Sequence, residues 1–187
     1  MRKISWTNTA AAVCAILQIV NGLSIFLLLI VAFHVLIDPA SIDAASGQPV
    51  TVYFLGMNIS LNDMALYATA GAATVPGVVI YMLIGCARSV MYFMAFGNVR
   101  QVIDCSRTQS PFRWENVQKL RQAGGLFLGT VGLQLAYAFI TMILAFGSMS
   151  FSANIRFDTV ILGVTVLCVS EIFAQGARLQ DDQDGLV

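Results

Sequence analysis

The sequence predicts an all-α membrane protein with four transmembrane helices. Three observations favour this fold class: 58% of the 187 residues are hydrophobic, only 11% are charged, and the mean hydropathy is +0.79. A soluble domain carries roughly 25% charged residues, so lipid must be the solvent for much of this chain. Ten Lys and Arg balance ten Asp and Glu, and direct nucleic-acid binding is therefore not expected.

Four apolar segments are long enough to cross a bilayer, whose hydrocarbon core of about 30 Å requires roughly 20 helical residues. They cover residues 9–37, 64–96, 123–146 and 159–177 of a single transmembrane domain. The first is longer than the apolar core of a cleaved signal peptide, which has about 7–15 residues, so we interpret it as an uncleaved helix. Pro76 in the second segment predicts a kink.

The distribution of cationic residues predicts the orientation of these segments. Arg2 and Lys3 precede the first segment, and residues 97–122 contain Arg100, Arg107, Arg113, Lys119 and Arg121. The loop 38–63 contains aspartates and no Lys or Arg. By the positive-inside rule, the amino terminus, the loop 97–122 and the tail 178–187 are cytoplasmic.

The extracytoplasmic loop 38–63 has the composition of a small β-hairpin. It opens with Asp38-Pro39, contains the turn cluster 46–49, and continues with β-branched and aromatic residues over 50–61. We expect the hairpin to turn near Gly56. The loop either caps the helix ends or offers a sensory surface, and His34 at the end of the first segment is interpreted as an interfacial polar residue.

The cytoplasmic loop 97–122 contains two amphipathic stretches. Over residues 97–104 the apolar positions Val99, Val102 and Ile103 predict that the second helix extends beyond the membrane. Ser110-Pro111 predicts the N-cap and first residue of a separate short helix, which would end near Gly124-Gly125. This helix either lies on the membrane surface, with its aromatic residues among the lipid headgroups, or docks a cytoplasmic protein.

Several polar residues fall inside the apolar segments. Arg88 and Glu171 are predicted to form an intramembrane ion pair, with a proton or ion site as the alternative. Gln18, Asn21 and Gln134 are expected to bond to neighbouring helices. The small-residue spacings 73–77 and 125–129 permit close helix packing, either within the bundle or in a homo-oligomer.

The sequence contains no pattern typical of an enzyme. There is one histidine, there is no phosphate-binding loop, and the four cysteines are scattered as Cys14, Cys86, Cys105 and Cys168. We therefore expect no catalytic residues, no cofactor and no metal site, and interpret the cysteines as small hydrophobic residues.

Three segments carry a family resemblance: residues 98–100, residues 110–124 (SPFRWENVQKLRQAG) and residues 171–187 (EIFAQGARLQDDQDGLV). They resemble the bacterial four-pass membrane family catalogued as domain of unknown function 2975. The family's PF...EN...LR..G motif and its tail look like Pro111, Phe112, Glu115, Asn116, Leu120, Arg121 and Gly124, followed by Phe173, Gly176, Leu179, Asp181, Asp182, Asp184, Leu186 and Val187. Two positions depart from the pattern, Arg113 where a small hydroxyl residue is usual and Gly185 within the acidic tail.

The resemblance implies no established activity, but members are often encoded beside small helix-turn-helix regulators. It therefore implies a non-enzymatic protein of the bacterial inner membrane that acts as the regulatory or sensory partner of a cytoplasmic transcriptional regulator. We expect the interaction surface to comprise Phe112, Arg113, Trp114, Glu115, Asn116, Lys119, Leu120, Arg121, Asp181, Asp182 and Asp184. The alternative function is a small transporter, channel or accessory subunit of a membrane complex, with Arg88, Glu171, Gln18 and Gln134 as a polar path.

Overall fold

The computed structural model describes residues 6–43, 50–54, 57–61, 75–108, 112–144 and 157–184. These residues form long helices and a small sheet. In chain order the elements are α1 (Trp6–Ile37), a 3-10 turn (Pro39–Ser41), β1 (Ile42–Asp43), β2 (Val50–Phe54), β3 (Met57–Leu61), α2 (Val75–Thr108), α3 (Trp114–Leu144) and α4 (Phe157–Asp184).

Three helices in the described part of the chain are long and apolar enough to cross a membrane: Trp6–Ile37, Val78–Ser106 and Phe157–Gln183. Only 11% of the most apolar stretch of α1 is buried inside the protein. Its outward side chains include Leu23 and Phe26, which are 72% and 70% exposed. A helix that is apolar all round and exposed is expected where the solvent is lipid, and these helices are those of a multi-pass membrane protein.

The end of α1 follows from Asp38-Pro39. A residue before proline is disfavoured in the helical conformation, and the helix ends at Ile37. The Asp38 carboxylate then accepts a hydrogen bond from the Ala40 amide at 3.2 Å, and the Ser41 hydroxyl donates to the Asp38 carbonyl at 2.6 Å. These bonds close the 3-10 turn that leads into β1.

The sheet has the order β1-β2-β3 with antiparallel neighbours. β2 pairs with β3 from Val50 opposite Leu61 to Phe54 opposite Met57. Residues 55 and 56, where the sequence predicts a turn, lie outside the described residues.

The bounds of α2 differ from the second predicted span. The helix begins at Val75, and residues 64–74 lie outside the described part of the chain. Pro76 is the second residue of the described helix, and the predicted kink involves preceding residues that lie outside the described part of the chain. The predicted extension of this helix past residue 96 is confirmed, because α2 is continuous to Thr108.

The predicted short helix that ends near Gly124-Gly125 is wrong. α3 begins at Trp114 and continues through both glycines to Leu144, so it joins the predicted short helix to the third predicted span. The Arg113 carbonyl accepts from the amides of Asn116 at 2.9 Å and Val117 at 3.2 Å, which makes Arg113 the N-terminal cap. Ser110 and Pro111, the predicted start, lie outside the described residues.

The end of α4 differs from that of the fourth predicted span. α4 continues seven residues past the predicted boundary at 177 and ends at Asp184. Residues 178–184 are thus helical. Residues 185–187 lie outside the described part of the chain.

The chain divides into two compact units. The first unit consists of Met1–Gly22, Val90–Val131 and Arg156–Val187 and contains segments of all four helices. Its apolar core is formed by Ala95 of α2 with Ala123 and Phe127 of α3. The Phe127 ring lies 5.5 Å from Phe96 and 6.0 Å from Tyr92 between ring centroids.

The second unit consists of Leu23–Ser89 and Gly132–Ile155 and contains the sheet. Its core packs α1 against α2 through the buried residues Val31, Ala32, Val35, Val78 and Met82. Tyr81 contacts Tyr137 of α3 with 5.9 Å between the ring centroids.

Candidate interaction surface

The first unit contains both segments of the predicted interaction surface. The start of α3 (112–121) and the end of α4 (181–184) both belong to it. Contacts between the two helices run in opposite directions along the chain: Phe112 meets Gly176, Arg121 meets Glu171, and Gly124 meets Leu167. α3 and α4 are therefore antiparallel here, and Phe112, just before the start of α3, lies level with Gly176 of α4.

The ring of Phe112 packs the start of α3 against α4. Its centroid lies 5.5 Å from that of the Phe173 ring with the rings tilted at 53°. The same ring covers Gly176, where an added Cβ would overlap it. Only a residue without a side chain leaves room for the ring, so the Phe and Gly of the resembling motifs are contact partners.

Glu171 has a different partner from the one that the sequence predicts. Arg121 Nη2 donates to Glu171 Oε2 at 3.0 Å, and both side chains are about half exposed (49% and 55%). The sequence predicts Arg88 as the partner of Glu171, and the structure pairs Glu171 with Arg121 instead. The physical reason is the continuation of α3 as one helix, which sets Arg121 directly against α4.

Close backbone packing continues the contact between α3 and α4. A Cβ added at Gly124 would lie 2.7 Å from two atoms of the Leu167 side chain and 3.2 Å from the Gly163 carbonyl oxygen. A Cβ added at Gly163 would lie 2.9 Å from Leu128. The sequence analysis missed Gly163, although a glycine inside an apolar segment is a recognised sign of close helix packing.

The predicted surface residues of α3 divide into two groups. Asn116 is 1% exposed and Leu120 is 6% exposed, so both lie in the interior rather than on the surface as predicted. The spacing 112, 116, 120 and 124 places these residues on one helix face, the face that contains the contacts with α4. Arg113, Trp114 and Glu115 remain exposed, and Lys119 is half-buried.

The end of α4 has an inward and an outward face. Ala177 is 1% exposed, whereas Leu179 is 66% exposed and Asp181 and Asp182 are also exposed. Asp184, the last predicted surface residue, is the final residue of the helix. Apart from Arg121, which pairs with Glu171, the exposed residues of the predicted surface are Phe112, Arg113, Trp114, Glu115, Asp181 and Asp182. Leu179, which the prediction did not include, is 66% exposed on the same helix end. These six residues and Leu179 are called the docking surface below.

The helix dipoles act differently on the carboxylates at the start of α3 and at the end of α4. Glu115 lies in the first turn of α3, where the positive end of the helix dipole favours a carboxylate. The negative end of a helix dipole disfavours carboxylates and favours basic residues. The last turn of α4 nevertheless contains no basic residue. Asp181 and Asp182 thus lie in an acidic last turn.

Polar residues deeper in the first unit hold helices together. Gln18 Nε2 donates to the Phe93 carbonyl at 3.4 Å, so the predicted bond from Gln18 to a neighbouring helix is confirmed. Asn21 instead donates to the Leu17 carbonyl of its own helix at 2.8 Å, so that prediction is wrong. The hydroxyls of Tyr92 and Thr159 lie 3.3 Å apart, a contact between α2 and α4 that the sequence analysis missed.

The four cysteines are free. Cys14 and Cys86 are buried, as their interpretation as hydrophobic residues requires, while Cys168 is exposed on α4. In the part of the chain that the structure describes, no three His, Cys, Asp or Glu side chains are grouped for metal binding.

Apolar helices of this length define the class of a multi-pass membrane protein. A family model described as a protein of unknown function (DUF2975) matches residues 63–187, which is more than half of the chain. The chain belongs to this family, which confirms the resemblance of the α3 and α4 motifs. No curated protein and no solved structure matches the chain.

Proposed function

We propose that this protein is a non-enzymatic membrane protein that presents the docking surface to a cytoplasmic regulator of the helix-turn-helix type. One observation carries the proposal: Phe112 packs on Phe173 and Gly176, which joins the start of α3 to the part of α4 that leads to the exposed Asp181 and Asp182. The exposed residues include Trp114 and Leu179, at 41% and 66% exposure. Exposed aromatic and apolar side chains among charges are typical of protein interfaces.

The proposed topology has four spans, with both chain ends in the cytoplasm of a bacterium and the protein in its cytoplasmic membrane. α3 is the fourth span beside the three helices already described, because the sequence contains no charged residue between Arg121 and Arg156. The cationic residues of the loop 97–122 favour the cytoplasmic side for the docking surface. The loop 38–63, with the paired strands β2 and β3 as a hairpin, then lies outside the cell.

Transport through a polar path is the alternative function, and the contacts of its residues favour it less. Gln18 bonds to a carbonyl of α2, and Glu171 is paired with Arg121. Both side chains therefore support helix contacts in the first unit. A transport path would use ionisable groups that are available to a moving ion.

Co-purification from native membranes tests the proposed function. The tagged full-length protein is expressed at its natural level, extracted in a mild detergent and analysed for bound regulators by mass spectrometry. Trp114→Ala is compared with Leu162→Ala, because both side chains are 41% exposed and Leu162 lies in the apolar part of α4. We expect a regulator to be lost from Trp114→Ala and retained by Leu162→Ala, whereas equal recovery from both variants, or no regulator with the wild type, contradicts the proposal.

A further inference from the structure

We infer that the outward face at the end of α4, formed by Arg178, Leu179, Asp181 and Asp182, binds a cationic amphipathic segment of a partner protein. The inference rests on the proposed function, because it specifies the chemistry of the partner and the part of the docking surface that this partner contacts. It depends on the exposure of this face, its charge and its distance from the core contacts.

The outward face is separate from the face that packs on α3. Phe173, Gly176 and Ala177 lie against Phe112 or in the interior. Leu179 is 66% exposed, and Arg178, Asp181 and Asp182 are exposed as well. A partner can therefore cover this face without breaking the contact between α3 and α4.

This face carries two carboxylates, Asp181 and Asp182, against the single guanidinium of Arg178, and is therefore negative. Asp181 and Asp182 form no ion pair with another residue in the described part of the chain. The last turn of α4 lacks a basic residue, and carboxylates at this end of a helix are disfavoured by the helix dipole. Positive side chains of a partner would relieve this repulsion, so charge complementarity favours a cationic occupant.

The same charge argues against other macromolecules. Anionic lipid headgroups and nucleic-acid phosphates would be repelled by Asp181 and Asp182. Leu179 supplies an apolar contact that a small cation would not use, and an amphipathic helix uses such apolar anchors flanked by charges. A protein segment with Lys or Arg around apolar residues fits both features.

Site-specific photo-crosslinking in native membranes tests the inference. A benzophenone amino acid replaces Leu179 in the full-length protein, and in a control it replaces Ile161, which is also 66% exposed but lies in the apolar part of α4. We expect the Leu179 probe to crosslink a protein segment with an excess of Lys and Arg, and the Ile161 probe not to crosslink it. Crosslinks from Leu179 only to lipid, to a second copy of this chain or to an acidic segment would overturn the inference.

Charge variants supply the second measurement. Asp181→Asn with Asp182→Asn should lower the crosslinking yield at Leu179 about tenfold, because electrostatic complementarity is removed while shape is kept. The double variant should unfold at the temperature of the wild type or slightly above it, since neither carboxylate contacts the core and both changes remove repulsion from the helix dipole. An unchanged crosslinking yield in the folded double variant would overturn the inference.

A probe at Trp114 separates the inference from the proposed function. If a regulator crosslinks at Trp114 and the two aspartate changes leave its binding intact, the proposed function stands and the inference on α4 fails. If no protein crosslinks at Trp114 or at Leu179, both fail.

Discussion

Gly124 and Gly125 are neighbours in the chain with different surroundings. A Cβ at Gly124 would lie 2.7 Å from Leu167 and 3.2 Å from the Gly163 carbonyl oxygen, whereas nothing lies within 4 Å of a Cβ at Gly125. The Leu167 side chain can rotate away, but a backbone carbonyl cannot move without separating the helices. Glycine at 124 is thus required by packing, and glycine at 125 is not required by any contact in the first unit.

This difference predicts opposite effects of two alanine substitutions. Gly124→Ala should lower the free energy of unfolding by about 1–3 kcal/mol, the usual cost of an overpacked contact. Gly125→Ala should leave it unchanged or raise it, since alanine is the better helix former. Unfolding of the purified protein by sodium dodecyl sulfate in mixed micelles, followed by circular dichroism, measures both, and equal destabilisation would refute the assigned packing.

Arg121 and Glu171 extend the same contact by a charged pair. Because both side chains are about half exposed, the interaction should be modest. A double-mutant cycle with Arg121→Gln and Glu171→Gln should give a coupling of about 0.2–1 kcal/mol. A second cycle with Arg88→Gln and Glu171→Gln is the contrast, and the effects of its two changes on the free energy of unfolding should be additive. Coupling of Glu171 to Arg88, with none to Arg121, would support the pair that the sequence suggests.

At the scale of elements, α3 is a single helix through Gly124-Gly125. Hydrogen exchange of the protein in lipid nanodiscs should therefore show continuous protection of the amides from 118 to 131, because each is bonded within the helix. Two separate helices would leave fast-exchanging amides at 124–126. Trp114 and Glu115 should exchange quickly, because the first amides of α3 lack intrahelical partners, and they provide the internal reference.

The continuity of α3 marks the limit of what the sequence predicts. The lengths of the apolar segments predict the helices well, because the thickness of the bilayer fixes how many apolar residues a span needs. Glycine pairs are ambiguous, since the same residue ends a helix or permits close packing. Gly124 takes the second role only because Leu167 and Gly163 lie opposite it, and no pattern local to residues 110–125 contains that information.

The candidate site has the same limit. The sequence motif identifies the family correctly. It does not show which of its residues are buried: Asn116 and Leu120 are predicted on a surface, and they are 1% and 6% exposed. Their side chains face inward because residues four apart share a helix face with Phe112 and Gly124. The charged residues Arg113, Glu115, Asp181 and Asp182 are exposed, as their charge predicts. The exposure of Leu179 was not predicted, and the partner of Glu171 required the pairing of α3 with α4.

At the scale of the whole molecule, the family match covers a smaller part of the chain than the structure does. The family match begins at residue 63, after α1 and the sheet. The first unit nevertheless includes part of α1, and Gln18 of α1 donates to the Phe93 carbonyl. The segment before the family match is therefore part of the packed protein, and the full chain is needed in each experiment.

The orientation of the chain gives the last prediction, which concerns all four spans at once. In a background without its four native cysteines, single cysteines are introduced by Ala45→Cys, Gln118→Cys and Gln183→Cys. With both ends in the cytoplasm, a membrane-impermeant maleimide added to spheroplasts should label only position 45, because the positive-inside rule places the other two inside. Permeabilised cells should label all three positions.

Leu162→Cys is the control for exposure to lipid, and it should resist labelling in both preparations because a thiolate does not form in hydrocarbon. Positions 118 and 183 carry the decisive comparison, since α3 and α4 together must return the chain to the same side. Labelling of these two positions from opposite sides would mean that only one of the two helices crosses the membrane. Labelling of both positions from outside would show that the topology is inverted and that the docking surface does not face the cytoplasm.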